Sequence, residues 1–194
     1  MTVVDTDRIE MAEESDERTL DMMFEWLEPT PEGFKVEIVE GNVYMSPQRD
    51  THWEIIFDIV EQLRASYSRK QLKSDVRIDF PGRLNGFASD VVALTEGAAK
   101  DEKGRWRYQD IEFIAEVISK DTAANDYGSK KATYATAGVP VYLIVDPYKG
   151  TWHLHTVPKD DEYRGVVGFD FGTPIDLTDT PVGFALRTDA FPRD

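Results

Sequence analysis

"IEFIAEVISK", residues 111–120, has the pattern of a buried strand that carries a carboxylate where apolar side chains should be. Period-two alternation sets Ile111, Phe113, Ala115 and Val117 on one face and Glu112, Ile114, Glu116 and Ile118 on the other. Both faces are apolar around Glu116, which predicts a central strand covered on each side. An ionised carboxylate in that setting is costly unless a cation pairs with it. The flanking sequence should therefore supply a partner for Glu116.

The helix predicted next, "DTAANDYGSKKATYATAG" (121–138), offers one. It has a cap at Asp121 or Thr122 and a glycine stop at Gly138. At about 100° per residue, Ala123, Tyr127, Lys130 and Tyr134 share a sector of roughly 60° that faces the sheet, with Lys131 at its edge. On the N-terminal side, "LKSDVRIDF" (72–80) and "GFASDVVAL" (86–94) read as two strands, and Asp90 opens the apolar run of the second. Asp90, Glu116 and Lys130 thus converge. Two carboxylates and a lysine can hold a hard divalent cation and a phosphate, because magnesium keeps several waters and needs few protein ligands. The competing reading is an internal Glu116–Lys130 ion pair with no metal.

Further out, "FKVEIVEGNVYMSP" (34–47) alternates about "EGN" as a hairpin, and residues 17–27 predict a short helix closed by Pro29 and Pro31. "THWEIIFDIVEQLRASYSR" is the clearest helix, with Trp53, Ile56, Phe57, Val60, Leu63 and Tyr67 at helical spacing. "VPVYLIVD" predicts a second buried strand, and "TWHLHTVP", "EYRGVVGFDFG" and "TPIDL" predict closing strands. The order implies an α/β domain, a mixed sheet flanked by helices. His153 and His155 share a strand face and read as a solvent-facing pair, since no third metal ligand stands near them in sequence. Asp126 reads as a helix-surface or packing residue, and Asp146 as a strand-end turn former.

The 194 residues fit one domain, expected over 18–194, preceded by an acidic, mobile tail over 1–17 whose charge is −6. There is no cysteine, which excludes disulfides, thiolate metal sites and a cysteine nucleophile. No run approaches the roughly 20 apolar residues of a membrane helix, and the N-terminus lacks a secretory pattern, so a cytoplasmic location is expected. A formal charge of −15 argues against non-specific binding to nucleic acid. The basic stretches "RKQLK" (69–73) and "KDEKGRWR" (100–107) read as solvated faces. Neither a phosphate-cradling glycine loop nor a GxSxG elbow is present.

"FKVEIVEGNVYMSP" with His52 beyond it, "SDVVAL", and "AEVISKDTAANDYGSKKATYATAGVPVYLIVDP" together resemble the Uma-type family of restriction endonucleases, a branch of the PD-(D/E)XK nuclease superfamily. The resemblance spans about residues 22–155 and is densest from Glu116 to Pro147. It implies a restriction-endonuclease-like fold and a metal-dependent endonuclease that hydrolyses nucleic acid, DNA in the first instance. It makes Asp90 and Glu116 the ligands of Mg²⁺, with Mn²⁺ as a substitute, and Lys130 the catalytic lysine. It adds Glu37 and His52 as accessory residues and admits a homodimer. The superfamily's lysine two residues after the glutamate is absent, since Ile118 stands there; Ser89 also replaces the proline before Asp90. A catalytically degenerate nuclease fold acting as a binding or regulatory module is the alternative, and an acidic interaction protein with an internal ion pair a third.

Overall fold

Residues Ile111–Val117 form a strand inside a six-stranded sheet, as two apolar faces require. The computed structural model describes residues 6–47, 49–120 and 122–194; Asp121, one of the two expected helix caps, lies outside them. In chain order the elements are α1 (Thr6–Trp26), β1 (Phe34–Val39), β2 (Asn42–Pro47), α2 (Asp50–Leu63), β3 (Leu72–Lys73), β4 (Ile78–Phe80) and β5 (Asn85–Phe87). There follow β6 (Val91–Leu94), β7 (Trp106–Arg107), a 3-10 turn at Tyr108–Asp110, β8 (Ile111–Val117), α3 (Ala123–Tyr127) and α4 (Ser129–Thr136). The chain closes with β9 (Val141–Asp146), β10 (Thr151–Lys159), β11 (Glu162–Asp170), β12 (Ile175–Asp176) and β13 (Ala185–Leu186).

The main sheet has the order β11-β10-β9-β8-β6-β3, with β8 antiparallel to β6 and parallel to β9. A second sheet runs β2-β1-β5-β4-β7, and β12 pairs with β13 apart from both. One core lies between the main sheet and α2, where Ile55, Ile59 and Leu63 meet Val91, Phe113, Ala115, Val117 and Leu143. The other lies on the opposite face, where Ile114, Ile118, Tyr142 and Ile144 pack with Tyr134 of α4 and with Ile78, Phe80 and Phe87 of the second sheet. Ile111 joins this second core rather than the first, because the β6–β8 register shifts at Ala93/Leu94.

Four expectations need correction. The strands expected over 72–80 and 86–94 each divide between the two sheets. Asp75, at φ 53°, turns the chain in the first gap. In the second, side chains replace ladder partners: Ala88 N donates to Glu37 at 2.9 Å and Asp90 N to Glu116 at 3.4 Å. The helix expected to end at Gly138 does stop there, at φ +73°, but it is broken at Gly128 into α3 and α4. A Cβ at Gly128 would stand 2.8 Å from the Ala124 carbonyl oxygen, so the break is packed tightly. On α2 the buried stripe is His52, Ile55, Ile56, Ile59 and Leu63, while Trp53 and Phe57 point outward. Finally, α1 begins at Thr6 rather than near Glu17, so the boundary drawn at residue 17 falls inside a helix. The segment has no Gly or Pro before Pro29 to stop it.

Candidate active site

The second gap between sheets is where the polar residues gather. Asp90 stands at the start of β6, and Glu116 lies beside it near the end of β8. Glu37 reaches in from β1, and Lys130 from the first turn of α4. All four are at least nine-tenths buried. Lys130 Nζ lies 2.7 Å from Glu116 Oε1, 3.0 Å from Glu37 Oε1 and 3.1 Å from Asp126 Oδ1. Tyr134 OH donates to Glu116 Oε1 at 2.7 Å, so Ser89 Oγ, 2.9 Å from that hydroxyl, must be the donor in their bond. Val117 N donates to Asp90 Oδ2 at 2.7 Å. Each carboxylate is thus oriented by several fixed donors.

Two members escaped the sequence reading. Lys35 lies two residues before Glu37 on the same strand face and places Nζ 2.7 Å from Asp90 Oδ1, 3.7 Å from Glu116 Oε2 and 3.9 Å from Glu37 Oε2. That i,i+2 spacing was a usable signal. Asp126, expected on a helix surface or in packing, is buried against Lys130, one helical turn later. Lys130 is fully enclosed by carboxylates, whereas Lys35 lines an open cavity together with Glu37, Arg49, His52, Trp53, Asp90, Glu116 and Asp126. Ser119 and Thr122 complete one rim, their hydroxyls 2.5 Å apart. Thr122 Oγ1 makes this contact instead of capping α3.

Four carboxyls and two ammonium groups share the cluster, so it is short of positive charge. Burial acts to raise Glu116, but Lys130 and Lys35 outweigh it and hold this carboxyl at about 2. Asp90 is shifted the other way: burial and the adjacent Glu116 raise it despite Lys35. Asp126 is raised to about 7, by burial first and then by Glu116 and Glu37. Lys35 and Lys130 are both raised, since their carboxylate neighbours overcome burial. Burial lowers His52, whose enclosed Nε2 has no hydrogen-bond partner.

The donor set can be tested against a divalent cation. Among the described residues, no group of three or more His, Cys, Asp or Glu is disposed to hold a metal. Asp90 and Glu116, however, already share one cation, the Lys35 ammonium. A pair of carboxylates with water completing the shell suits magnesium. The residues fit such an ion, provided Lys35 withdraws.

The remaining candidates lie elsewhere. Asp146 ends β9 and accepts from Lys149 N at 3.1 Å, a turn role. His155 is not solvent-facing: it is buried against Tyr142 and Tyr163, and burial lowers it to about 4. The "KDEKGRWR" segment is no free face either, since Lys103 and Arg105 pair with Glu17 and Asp21 of α1. No helix among the described residues is long and apolar enough to cross a membrane.

A mixed sheet flanked by helices is the architecture of the restriction-endonuclease-like class. A family model described as "Putative restriction endonuclease", Uma2, matches residues 20–189. The chain belongs to that family. A crystal structure titled as a putative nuclease belonging to DUF820 from Anabaena variabilis is similar in fold, with a TM-score of 0.63 over 80% of this chain and 88% of that one at 14% identity. Among curated proteins none matches the chain.

Proposed function

We propose that the protein is a divalent-metal-dependent endonuclease that hydrolyses phosphodiester bonds of nucleic acid, with DNA as the expected substrate. The observation that carries this reading is the buried Asp90–Glu116 pair opening on a cavity and already sharing a cation, Lys35. Family membership supports nuclease chemistry. Asp90 and Glu116 would hold Mg²⁺ or Mn²⁺, which when bound supplies a water of lowered pKa and charge for the phosphate oxygens.

The protein's own groups divide the rest. Lys130, expected as the catalytic lysine, is held by Glu37, Glu116 and Asp126, so in this reading it becomes a positioning group that, with Tyr134, fixes the ionised Glu116 carboxylate. Lys35, once it leaves the carboxylates, is the lysine at the cavity wall and balances charge on the phosphate. Arg49, Ser119 and Thr122 line the approach, and His52, whose Nε2 is enclosed, lines the same cavity as an accessory residue. Water oxygen adds to phosphorus and gives up a proton, one P–O ester bond breaks, and the departing oxygen ends with that proton as a hydroxyl.

A catalytically inactive nuclease-fold binding module has one observation in its favour: Lys35 fills the gap between the carboxylates. A cleavage assay on mixed DNA and RNA with Mg²⁺ or Mn²⁺ separates the two. The nuclease reading expects cleavage by the wild type and loss of at least about 100-fold in Glu116→Gln. Equal rates in both proteins, or no cleavage of any substrate, would overturn it.

A further inference from the structure

The outward face of α2 holds an observation that the site chemistry leaves unused. Trp53 and Phe57 are 57% and 48% exposed, and their ring centroids lie 5.9 Å apart. Helical spacing sets Val60 and Arg64 on the same stripe. Trp53 and Ile56 form part of the wall of the Asp90–Glu116 cavity. The same two residues begin a second groove, which runs past Phe57 and Val60 to Arg64, Arg69 and Lys73. Three cations and no carboxylate line that groove, in a chain with 37 acidic and 22 basic residues. An aromatic pair flanked by cations, continuous with a phosphodiester-cleaving site, is complementary to a strand whose bases and phosphates are both open.

We propose that this groove binds an unpaired, single-stranded segment of nucleic acid, with bases stacked on Trp53 and Phe57 and phosphates against Arg64 and Arg69, and leads it to the cavity. The inference rests on the nuclease reading and narrows its substrate. A duplex hides its base faces in its own stack and would offer the groove only phosphates; exposed rings gain contact only from unpaired bases. Glu54 and Glu61, exposed on α2, do not line the groove.

The test is fluorescence anisotropy on the full chain in EDTA, using a labelled single-stranded oligonucleotide and a duplex of the same sequence. The single strand is expected to bind more tightly. Trp53→Ala or Phe57→Ala should weaken single-strand binding roughly 5- to 150-fold with little change for duplex, while Trp53→Phe keeps most of the affinity. The Arg64→Gln/Arg69→Gln double variant should flatten the logarithmic salt slope by about 1.4. Both aromatic side chains are solvent-facing, so a thermal melt will show the variants folded. Equal affinity for duplex and single strand, or unchanged binding by Trp53→Ala, overturns the proposal. So does a homodimer that Trp53→Ala dissolves, which would assign the face to a second copy. Trp53-dependent single-strand binding without cleavage in Mg²⁺ would sink the nuclease reading and leave the binding site standing.

Discussion

Lys130 Nζ lies within 3.1 Å of oxygens from three carboxylates, all in a buried setting. Lys130→Met strands those charges and should cost about 3–5 kcal/mol in urea denaturation. Adding Glu116→Gln should restore only part of the loss, because Glu37 still lacks its cation; an undiminished midpoint in the single variant would contradict this. Asp126 and Glu116 drive stability in opposite pH directions. Glu116, at about 2 when folded, contributes stability above its ordinary range near 4.5, and this is lost as pH falls toward 2. Asp126, at about 7 when folded, keeps a proton that the unfolded chain releases near 3.8, so its contribution declines as pH rises from 3.8 to 7. Asp126→Asn should remove that decline in denaturation curves recorded across this window; an identical slope would refute the assignment. Glu116 and Lys130 were legible because strand and helix periods turn them inward, Asp90 because it opens an apolar run, and Glu37 only through the family resemblance. Lys35 was not, since a lysine at a strand start normally reads as solvated.

The elements show which sequence signals compete. Arg105 bridges Asp21 of α1 to Asp79 of the β-sheet, and Arg77 does the same. Asp21→Asn should therefore speed hydrogen exchange within α1, and added salt should speed it further in the wild type, with no effect at β8. Equal exchange in both proteins would show that Leu20 and the other apolar contacts hold the helix alone. The apolar spacing of α2 predicted its existence correctly but not its rotation. Two stripes coexist on it, Ile55–Ile59 and Trp53–Phe57, and only tertiary packing decides which faces the core. The strands over 72–80 and 86–94 looked continuous because propensity extends across Asp75 and Asp90. What breaks them is non-local: a change of sheet at each point, and at Asp90 the approach of Glu37 and Glu116, distant in sequence.

Across the whole molecule, the two sheets meet where β1, β6, β8 and α4 deliver Lys35, Asp90, Glu116 and Lys130 to one place. Alternation along β8 and the helical period of the next element foretold the layered α/β fold. The division into two sheets was not foretold, because short strands carry too little pattern to name their partners. Four carboxyls and two lysines meet where the sheets join, so the proposed metal would supply positive charge that the cluster lacks. Calorimetric titration with Mn²⁺ of the metal-free wild type, Lys35→Met and Glu116→Gln tests this convergence most directly. The account predicts measurable binding by the wild type, tighter binding by Lys35→Met because no ammonium must first be displaced, and binding largely abolished in Glu116→Gln. Equal binding by all three proteins, or no binding by any, would contradict it.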